Sequence, residues 1–195
     1  MPYSYILASQ SPRRRQLLHE AGFSFEIIAS AADESFPDDM PPAEVPLFLA
    51  QQKAQQLVAN HPIPPDAIVI AADTVVVIND LILNKPTDEF DAQWMLRQLS
   101  GQRHEVITGV CLLSANQIHT FSAKTAVYFK PLSYDQIHYY IDHYHPFDKA
   151  GAYAIQEWIG LVGIERIEGC YFNVVGLPIS LLCSELERFE DKLSS

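Results

Sequence analysis

Two short stretches of this sequence bring together residue types that do phosphate chemistry, and a few isolated side chains could extend them. The first stretch is Ala8-Ser9-Gln10-Ser11-Pro12-Arg13-Arg14-Arg15. Tyr3 to Leu7 before it is an apolar, aromatic run that reads as a strand. Gln16 to Ala21 after it reads as a helix stopped by Gly22. Ser11 is placed to cap that helix, and Pro12 suits its first position, where a backbone N–H would have no partner anyway. Backbone N–H groups, the positive end of the helix dipole, two hydroxyls and three guanidinium groups then converge on one spot. That is a place for a phosphate chain. The same residues also describe a capped first helix with a basic, solvated face.

The second stretch is Asp73-Thr74, delivered at the end of the continuous apolar run Ala67 to Ala72. Such a run is expected of a strand buried on both faces. A carboxylate directly after it lies at the carboxyl edge of a sheet, where open α/β folds place their ligands; a turn-initiating aspartate is the plainer reading. Glu34, in the acidic, proline-rich loop from Ala31 to Pro42, offers either a second carboxylate or a solvated loop charge. Two carboxylates and phosphate oxygens make an ordinary Mg²⁺ or Mn²⁺ site. Lys85 and Lys149 each stand beside a turn residue, in Asn-Lys-Pro and Asp-Lys-Ala-Gly, and could reach a polyphosphate or cap a turn. Lys53 sits at the apolar edge of a helix, where it reads as a snorkelling side chain. His138, His143 and His145 read as surface or packing residues, since their spacing is not that of a metal motif.

The scaffold that must position these groups is legible as alternating elements. A second strand spans Phe23 to Ala29, and a long helix runs from Val45 to Asn60 with Leu47, Ala50, Ala54, Leu57 and Val58 at helical spacing. Val75 to Ile78 and Leu81 to Leu83, joined by Asn79-Asp80, read as a hairpin. A helix from Thr87 to Leu99 closes at Gly101. Strands follow at Val106 to Leu113 and Thr120 to Phe129, then a helix opened by the capping box Ser133 to Gln136. Asp148 to Gln156 reads as a structured loop, Val162 to Ile167 and Tyr171 to Val175 as a late hairpin, and Pro178 as the start of a C-terminal helix. The expected architecture is α/β with a mixed sheet.

The 195 residues, 48% hydrophobic and 19% charged, suffice for one domain, and no linker or repeat divides them. No apolar run approaches the roughly 20 residues of a membrane span. The start of the chain shows no basic leader, so a cytoplasmic protein without a membrane partner is expected. A net charge of −11 argues against binding a nucleic acid polymer. It does not argue against a small triphosphate, which needs only a local cationic pocket. Cys111, Cys170 and Cys183 read as buried apolar fillers rather than as a disulfide framework or a zinc site. Neither a P-loop nor a serine-hydrolase elbow occurs.

Taken in order, Ser9-x-Ser11-Pro12-Arg13-Arg14, Glu34, Lys53-Ala54, Ala72-Asp73-Thr74, Lys85-Pro86, Leu99-Ser100-Gly101 with His104, Thr108-Gly109, Asp148 to Tyr153 with Ile155-Gln156, and Asn173 to Pro178 resemble the motifs of Maf-like proteins across nearly the whole chain. The resemblance implies a mixed twisted sheet with flanking helices and two lobes around a central cleft, an ITPase-like α/β fold. It also implies a cytoplasmic homodimer and a divalent metal cofactor. The implied activity is hydrolysis of a nucleoside triphosphate to its monophosphate and pyrophosphate, clearing non-standard nucleotides. By motif position Asp73 corresponds to the proton acceptor. Ser9, Ser11, Arg13, Arg14, Glu34, Lys53, Lys85 and Gln156 correspond to other cleft residues, with Glu34 and Asp73 on the metal. Arg13, Thr74 and Gln156 match the branch acting on dTTP and UTP rather than the branch preferring 7-methyl-GTP. The Gln156 carboxamide can donate to a pyrimidine O4 while accepting from N3–H, a pattern that cytosine mismatches. One departure is that Glu157-Trp158-Ile159 follows Gln156 where many members have a glycine soon after. A role in cell division attached to the family gives the rival reading, a regulatory interaction protein with a nucleotide-sensing cleft.

Overall fold

The protein is described here from a computed structural model that covers residues 3–29, 35–114 and 117–194. The chain divides into two compact units, one of Met1–Asp73, Thr108–Ala123 and Gly176–Ser195 and the other of Thr74–Ile107 and Lys124–Val175. The first holds β1 (Ser4–Leu7), α1 (Pro12–Glu20), β2 (Phe25–Ile27), α2 (Val45–Asn60) and α7 (Ile179–Leu193). The second holds β4 (Leu81–Leu83), α3 (Glu89–Leu99), α4 (Tyr134–Tyr144), α5 (Trp158–Gly163), β7 (Ile164–Glu168) and α6 (Tyr171–Val175). β3 (Ala67–Ile78), β5 (Arg103–Leu113) and β6 (Ile118–Phe129) contribute residues to both. Among the described residues seven strands form one sheet in the order β2-β1-β3-β5-β6-β7, with β4 paired to β3. β1 is parallel to β2 and β3, whereas β3/β4 and β6/β7 are antiparallel, so the sheet is mixed, as the sequence implies.

The first unit follows from small residues on one helix face. Ala50, Ala54 and Leu57 of α2 pack on Ala67, Val69 and Ala71 of β3 and on Ile6 and Ala8 of β1. Alternate residues of a strand share a face, so Asp73 continues the face of Val69 and Ala71 toward α2. The start of α2 is seated on β5 at Gly109, where an added Cβ would lie 2.3 Å from the Pro46 carbonyl carbon. No side chain fits there. α7 is tied to the same unit by the Tyr5 hydroxyl, which donates to Glu190, and by His119 Nε2 at 2.7 Å from Glu185 Oε2.

In the second unit Ala92, Met95, Leu96 and Leu99 of α3 and Ile137, Tyr140 and Ile141 of α4 form one core with Val76, Val106, Val127 and Phe129 of the strands. The Ser133/Gln136 capping box forms as expected, with both reciprocal bonds made. The Asn79-Asp80 hairpin forms too, both residues taking the positive φ that a tight two-residue turn demands.

Three expectations are corrected. β3 does not end before Asp73 but runs unbroken from Ala67 to Ile78, because the β-branched residues after Thr74 extend the strand. The late hairpin does not form: β7 pairs with β6 in the register Val127↔Ile167, and Tyr171–Val175 is helical. Asn173 explains the second change, since its Nδ2 donates to Val106 O and Thr125 Oγ1, both at 3.0 Å, overriding a strand-like local sequence. α3 starts at Glu89 rather than Thr87, capped by the Asp88 side chain, which accepts from Asp91 N at 2.8 Å. The cysteines are all thiols; Cys111 is buried as expected, while Cys170 and Cys183 are only half-buried.

The Gly109 contact predicts that Gly109→Ala is destabilised by at least about 1–3 kcal/mol, the usual cost of overpacking, because backbone rather than a pliable side chain opposes the new methyl. A urea midpoint equal to that of the unsubstituted protein would show that α2 is not seated this way.

Candidate functional site

The turn after β1 is built as its residue types dictate. Ser11 caps α1, its Oγ accepting from Arg14 N at 3.5 Å, and Pro12 takes the first helical turn. Ser9 Oγ accepts from Ser11 N at 3.2 Å and from the Arg14 guanidinium at 3.4 Å, and Arg14 Nε donates to the Gly176 carbonyl at 2.8 Å. The arginine is thus oriented from two sides. Arg13 is half-buried in the first turn of α1. Arg15 does not join them: it lines a cavity with His19, Phe23 and Phe25 instead. Of the three arginines expected to converge, Arg14 is the one whose guanidinium is held at the turn.

Asp73 lies in the same unit and near the same end of the β1/β3 pair. Leu7 is in register with Ile70, and Ala8 N donates to Ile70 O at 2.8 Å before the chain leaves the sheet at Ser9. At about 3.3 Å per residue, Asp73 stands roughly 10 Å farther along β3. It falls in the stretch that neither β1, paired through Ile70, nor β4, paired from Val76, covers. Although 8% exposed, Asp73 is not an isolated charge: Lys53 Nζ donates to its Oδ1 at 2.5 Å, each side chain being 12% exposed. Lys53 therefore does not snorkel. It sits one residue before the buried Ala54, and α2 aims it inward along the sheet face that carries Asp73.

The second unit holds Thr74, Lys85 and Gln156. Thr74 is half-buried on β3, whereas Lys85 and Gln156 are exposed on separate loops. Those loops are joined, since Gly151 N donates to Asn84 O at 3.1 Å. Gly151 also faces Val76, whose methyl carbons would lie 3.0 Å from an added Cβ. Lys149 does not project from its turn but is held within it. It is 6% exposed and held by Asp148 Oδ1 at 2.7 Å and Glu157 Oε1 at 3.4 Å. Behind the loop His104 Nε2 meets the Tyr153 hydroxyl at 2.7 Å, both residues packing edge-on against Phe129. Burial, assisted by Arg103, pushes the His104 pKa down to about 3, so the ring is neutral.

Sequence reasoning missed two polar anchors, the Gly176 carbonyl and the Tyr140 hydroxyl, which donates to Glu157. For Gly176 a signal exists, because it lies in the Asn173 to Pro178 motif, to which the sequence assigns no role. Tyr140 had none beyond its place on a helix. Glu34 lies outside the described residues. Among the described residues no group of three His, Cys, Asp or Glu side chains is arranged to hold a metal ion. The donor chemistry of Asp73 nonetheless fits Mg²⁺ or Mn²⁺, which take one or two carboxylates and keep other positions for water and phosphate. Its Oδ1 is engaged by Lys53, and no described residue bonds its second oxygen.

Fold and site define an α/β protein with a mixed sheet, an arginine-bearing turn after β1, and a Lys–Asp pair between α2 and β3. Comparison with known proteins narrows this class. The family model described as "Maf-like protein" matches residues 4–189, and the chain belongs to that family. Among curated relatives, the dTTP/UTP pyrophosphatase of Cytophaga hutchinsonii is 49% identical over 94% of this chain and 83% of that protein. Those of a Bacteroides fragilis strain and of Phocaeicola vulgatus are 47% and 46% identical, each over 95% of this chain and 96% of its own length. Among solved structures, the Staphylococcus aureus Ham1 protein shares the fold, with a TM-score of 0.50 at 15% identity over 94% of this chain and 98% of that one. No described helix is long and apolar enough to cross a membrane.

Two predictions follow from the charges. Lys53→Met leaves the buried Asp73 carboxylate uncompensated and should cost about 3 kcal/mol or more, part of which Asp73→Asn restores in the double variant. Urea denaturation of the three variants checks it; equal stability of Lys53→Met and the parent protein would mean that the pair carries no load. His104 gains a proton in the unfolded chain that it refuses when folded. Stability should therefore fall as pH drops from about 6 to 4.5, by up to about 1.4 kcal/mol per pH unit. His104→Gln should flatten that slope. Below this window carboxylates such as Glu105, whose pKa is lowered first by Lys124 and then by Arg103, add a slope of the same sign.

Proposed function

We propose that this protein hydrolyses dTTP and UTP to the nucleoside monophosphate and pyrophosphate, removing unwanted nucleotides from the pool. The observation that carries the reading is the level of identity, 46–49% across the three relatives from Cytophaga, Bacteroides and Phocaeicola, all named dTTP/UTP pyrophosphatases and matched over nearly the whole chain. The geometry of the first unit supports it. A nucleoside triphosphate brings about four negative charges, which a helix N-terminus and oriented guanidinium groups are suited to receive.

In this reading Arg14 holds the phosphate tail in the orientation that Gly176 and Ser9 set, together with Arg13, and Ser9 and Ser11 add hydroxyl contacts. Asp73 orients the attacking water and takes its proton. Lys53 pairs with Asp73 at its buried position and offsets charge that grows on the phosphate oxygens. A divalent Mg²⁺ or Mn²⁺ ion held by Asp73, and by Glu34, would offset charge on the leaving pyrophosphate. Lys85, Thr74 and Gln156 are assigned to phosphate and base on the resemblance. Family membership is also the support for our reading of a cytoplasmic homodimer.

The test is a panel of nucleoside triphosphates incubated with the pure protein and Mg²⁺ or Mn²⁺, with the monophosphate and pyrophosphate measured. We expect turnover of dTTP and UTP above that of CTP, GTP and 7-methyl-GTP. Asp73→Asn, nearly isosteric, should keep the fold and lose turnover by roughly 10²-fold or more. Parent-level hydrolysis of dTTP by that variant would remove Asp73 from the chemistry. Absence of hydrolysis in the parent protein would favour a nucleotide-sensing role instead.

A further inference from the structure

Gln156 occupies the third position of a four-residue turn, Ala154 to Glu157, closed by Glu157 N donating to Ala154 O at 3.1 Å. Both ends of that turn bind one atom. The Tyr140 hydroxyl accepts from Ala154 N at 3.1 Å and donates to Glu157 Oε2. Tyr140 itself is fully buried, stacked on Tyr144 at 5.1 Å between ring centres, so the hydroxyl is a fixed point on α4. The other oxygen of Glu157 is 3.4 Å from the buried Lys149 Nζ, which Asp148 Oδ1 meets at 2.7 Å. Residues 148 and 149, which open this loop, are in this way joined to residue 157, which closes it.

The turn is also seated from behind. An added Cβ at Gly160 would lie 1.7 Å from the Ile155 carbonyl oxygen, so only glycine lets α5 approach the turn this closely. Gly160 N donates to Glu157 O at 2.9 Å and completes the restraint. Ala154 and Ile155 are buried, and Gln156 alone among these neighbours is exposed. A buried network with this many partners is far more than a surface turn needs for stability, since short turns form from local bonds alone. Its effect is to fix the backbone that aims one carboxamide.

We propose that Tyr140, Glu157 and Lys149 are positioning residues for base selection, with the single Tyr140 hydroxyl clamping both ends of the turn that presents Gln156. This rests on the reading that Gln156 meets the pyrimidine edge. A carboxamide discriminates between uracil and cytosine only if it is held within reach of the base edge and in its plane, and a turn free to rotate would carry it out of both. The clamp removes that freedom. The three residues touch neither substrate nor reacting atoms; they act through Gln156.

The experiment compares kcat and KM for UTP and CTP in the parent protein, Tyr140→Phe, Gln156→Ala, the double variant, Lys149→Met and Lys149→Arg. Tyr140→Phe keeps the buried ring, so folding is checked by its melting temperature alongside. We expect the UTP-over-CTP ratio of kcat/KM to fall at least about tenfold in Tyr140→Phe, mainly through KM for UTP, with kcat reduced only a few-fold. Gln156→Ala should lose as much, and the double variant no more than Gln156→Ala alone, the mark of two residues acting in series. Lys149→Met should follow Tyr140→Phe, and Lys149→Arg should recover most of the ratio. A folded Tyr140→Phe with the parent ratio, or losses that multiply in the double variant, overturns the clamp while leaving the function intact. A parent protein that treats UTP and CTP alike, or a Gln156→Ala variant that discriminates as before, instead overturns the base-reading role on which the clamp depends.

Discussion

The Lys53–Asp73 ion pair is the interaction on which the candidate site depends. An aspartate inside a continuous, buried strand is out of keeping with strand composition, and its desolvation would cost several kcal/mol without a partner. Lys53 reaches it at 2.5 Å only because α2 lies close to the sheet. That approach in turn rests on the alanines at 50 and 54 and on Gly109, whose missing side chain lets the Pro46 backbone settle on β5. A local packing choice among small residues thus determines where a charge sits. The pair also keeps the local charge near zero, which is the condition under which a carboxylate is tolerated at this depth.

The second unit solves a different problem, holding irregular loops without a ladder of backbone bonds. It does so with buried polar groups that are shared rather than duplicated. Tyr140 serves two partners, as does Lys149, and Thr125 Oγ1 accepts from Cys170 N while also meeting Asn173. Sharing suits a small unit, because each buried hydroxyl or ammonium without partners would cost about 1–3 kcal/mol. It also couples neighbouring loops: the one that carries Lys85 is bonded at Asn84 to the one that carries Gln156.

What could be read in the sequence was what local chemistry decides. The Ser11-Pro12 cap, the Ser133/Gln136 capping box and the Asn79-Asp80 turn each depend on residues within four positions of one another, and each forms. The long-range partners could not be read. Lys53 is 20 residues from Asp73 and Gly176 is 162 from Arg14, and nothing in either neighbourhood names the other. The errors share that cause. Asp73 looks like a strand end because aspartate ordinarily terminates strands, and only the distant lysine makes an interior position tenable. Tyr171 to Val175 look like a strand by composition, and become a helix because Asn173 finds Val106 and Thr125. Family resemblance supplied Gln156, which no local pattern marks.

Preorganisation is the common thread between the two units. A free arginine or glutamine side chain carries up to about 2 kcal/mol of rotamer entropy that binding must overcome. In Arg14 part of that freedom is already gone, because Nε is fixed on the Gly176 carbonyl and the guanidinium leans on Ser9. The carbonyl is available for this because α6 ends there: Gly176 adopts a φ of 127°, which other residues rarely take, and turns the chain out of the helix. At Gln156 the side chain remains exposed and the backbone is what is fixed. The distinction suits the two recognition problems that the proposed function poses. A phosphate is met by a guanidinium whose charge works from several directions, so the side chain itself must be held to make the contact count. A base edge is read by one donor and one acceptor lying in its own plane, so the frame must be rigid for the amide to meet both.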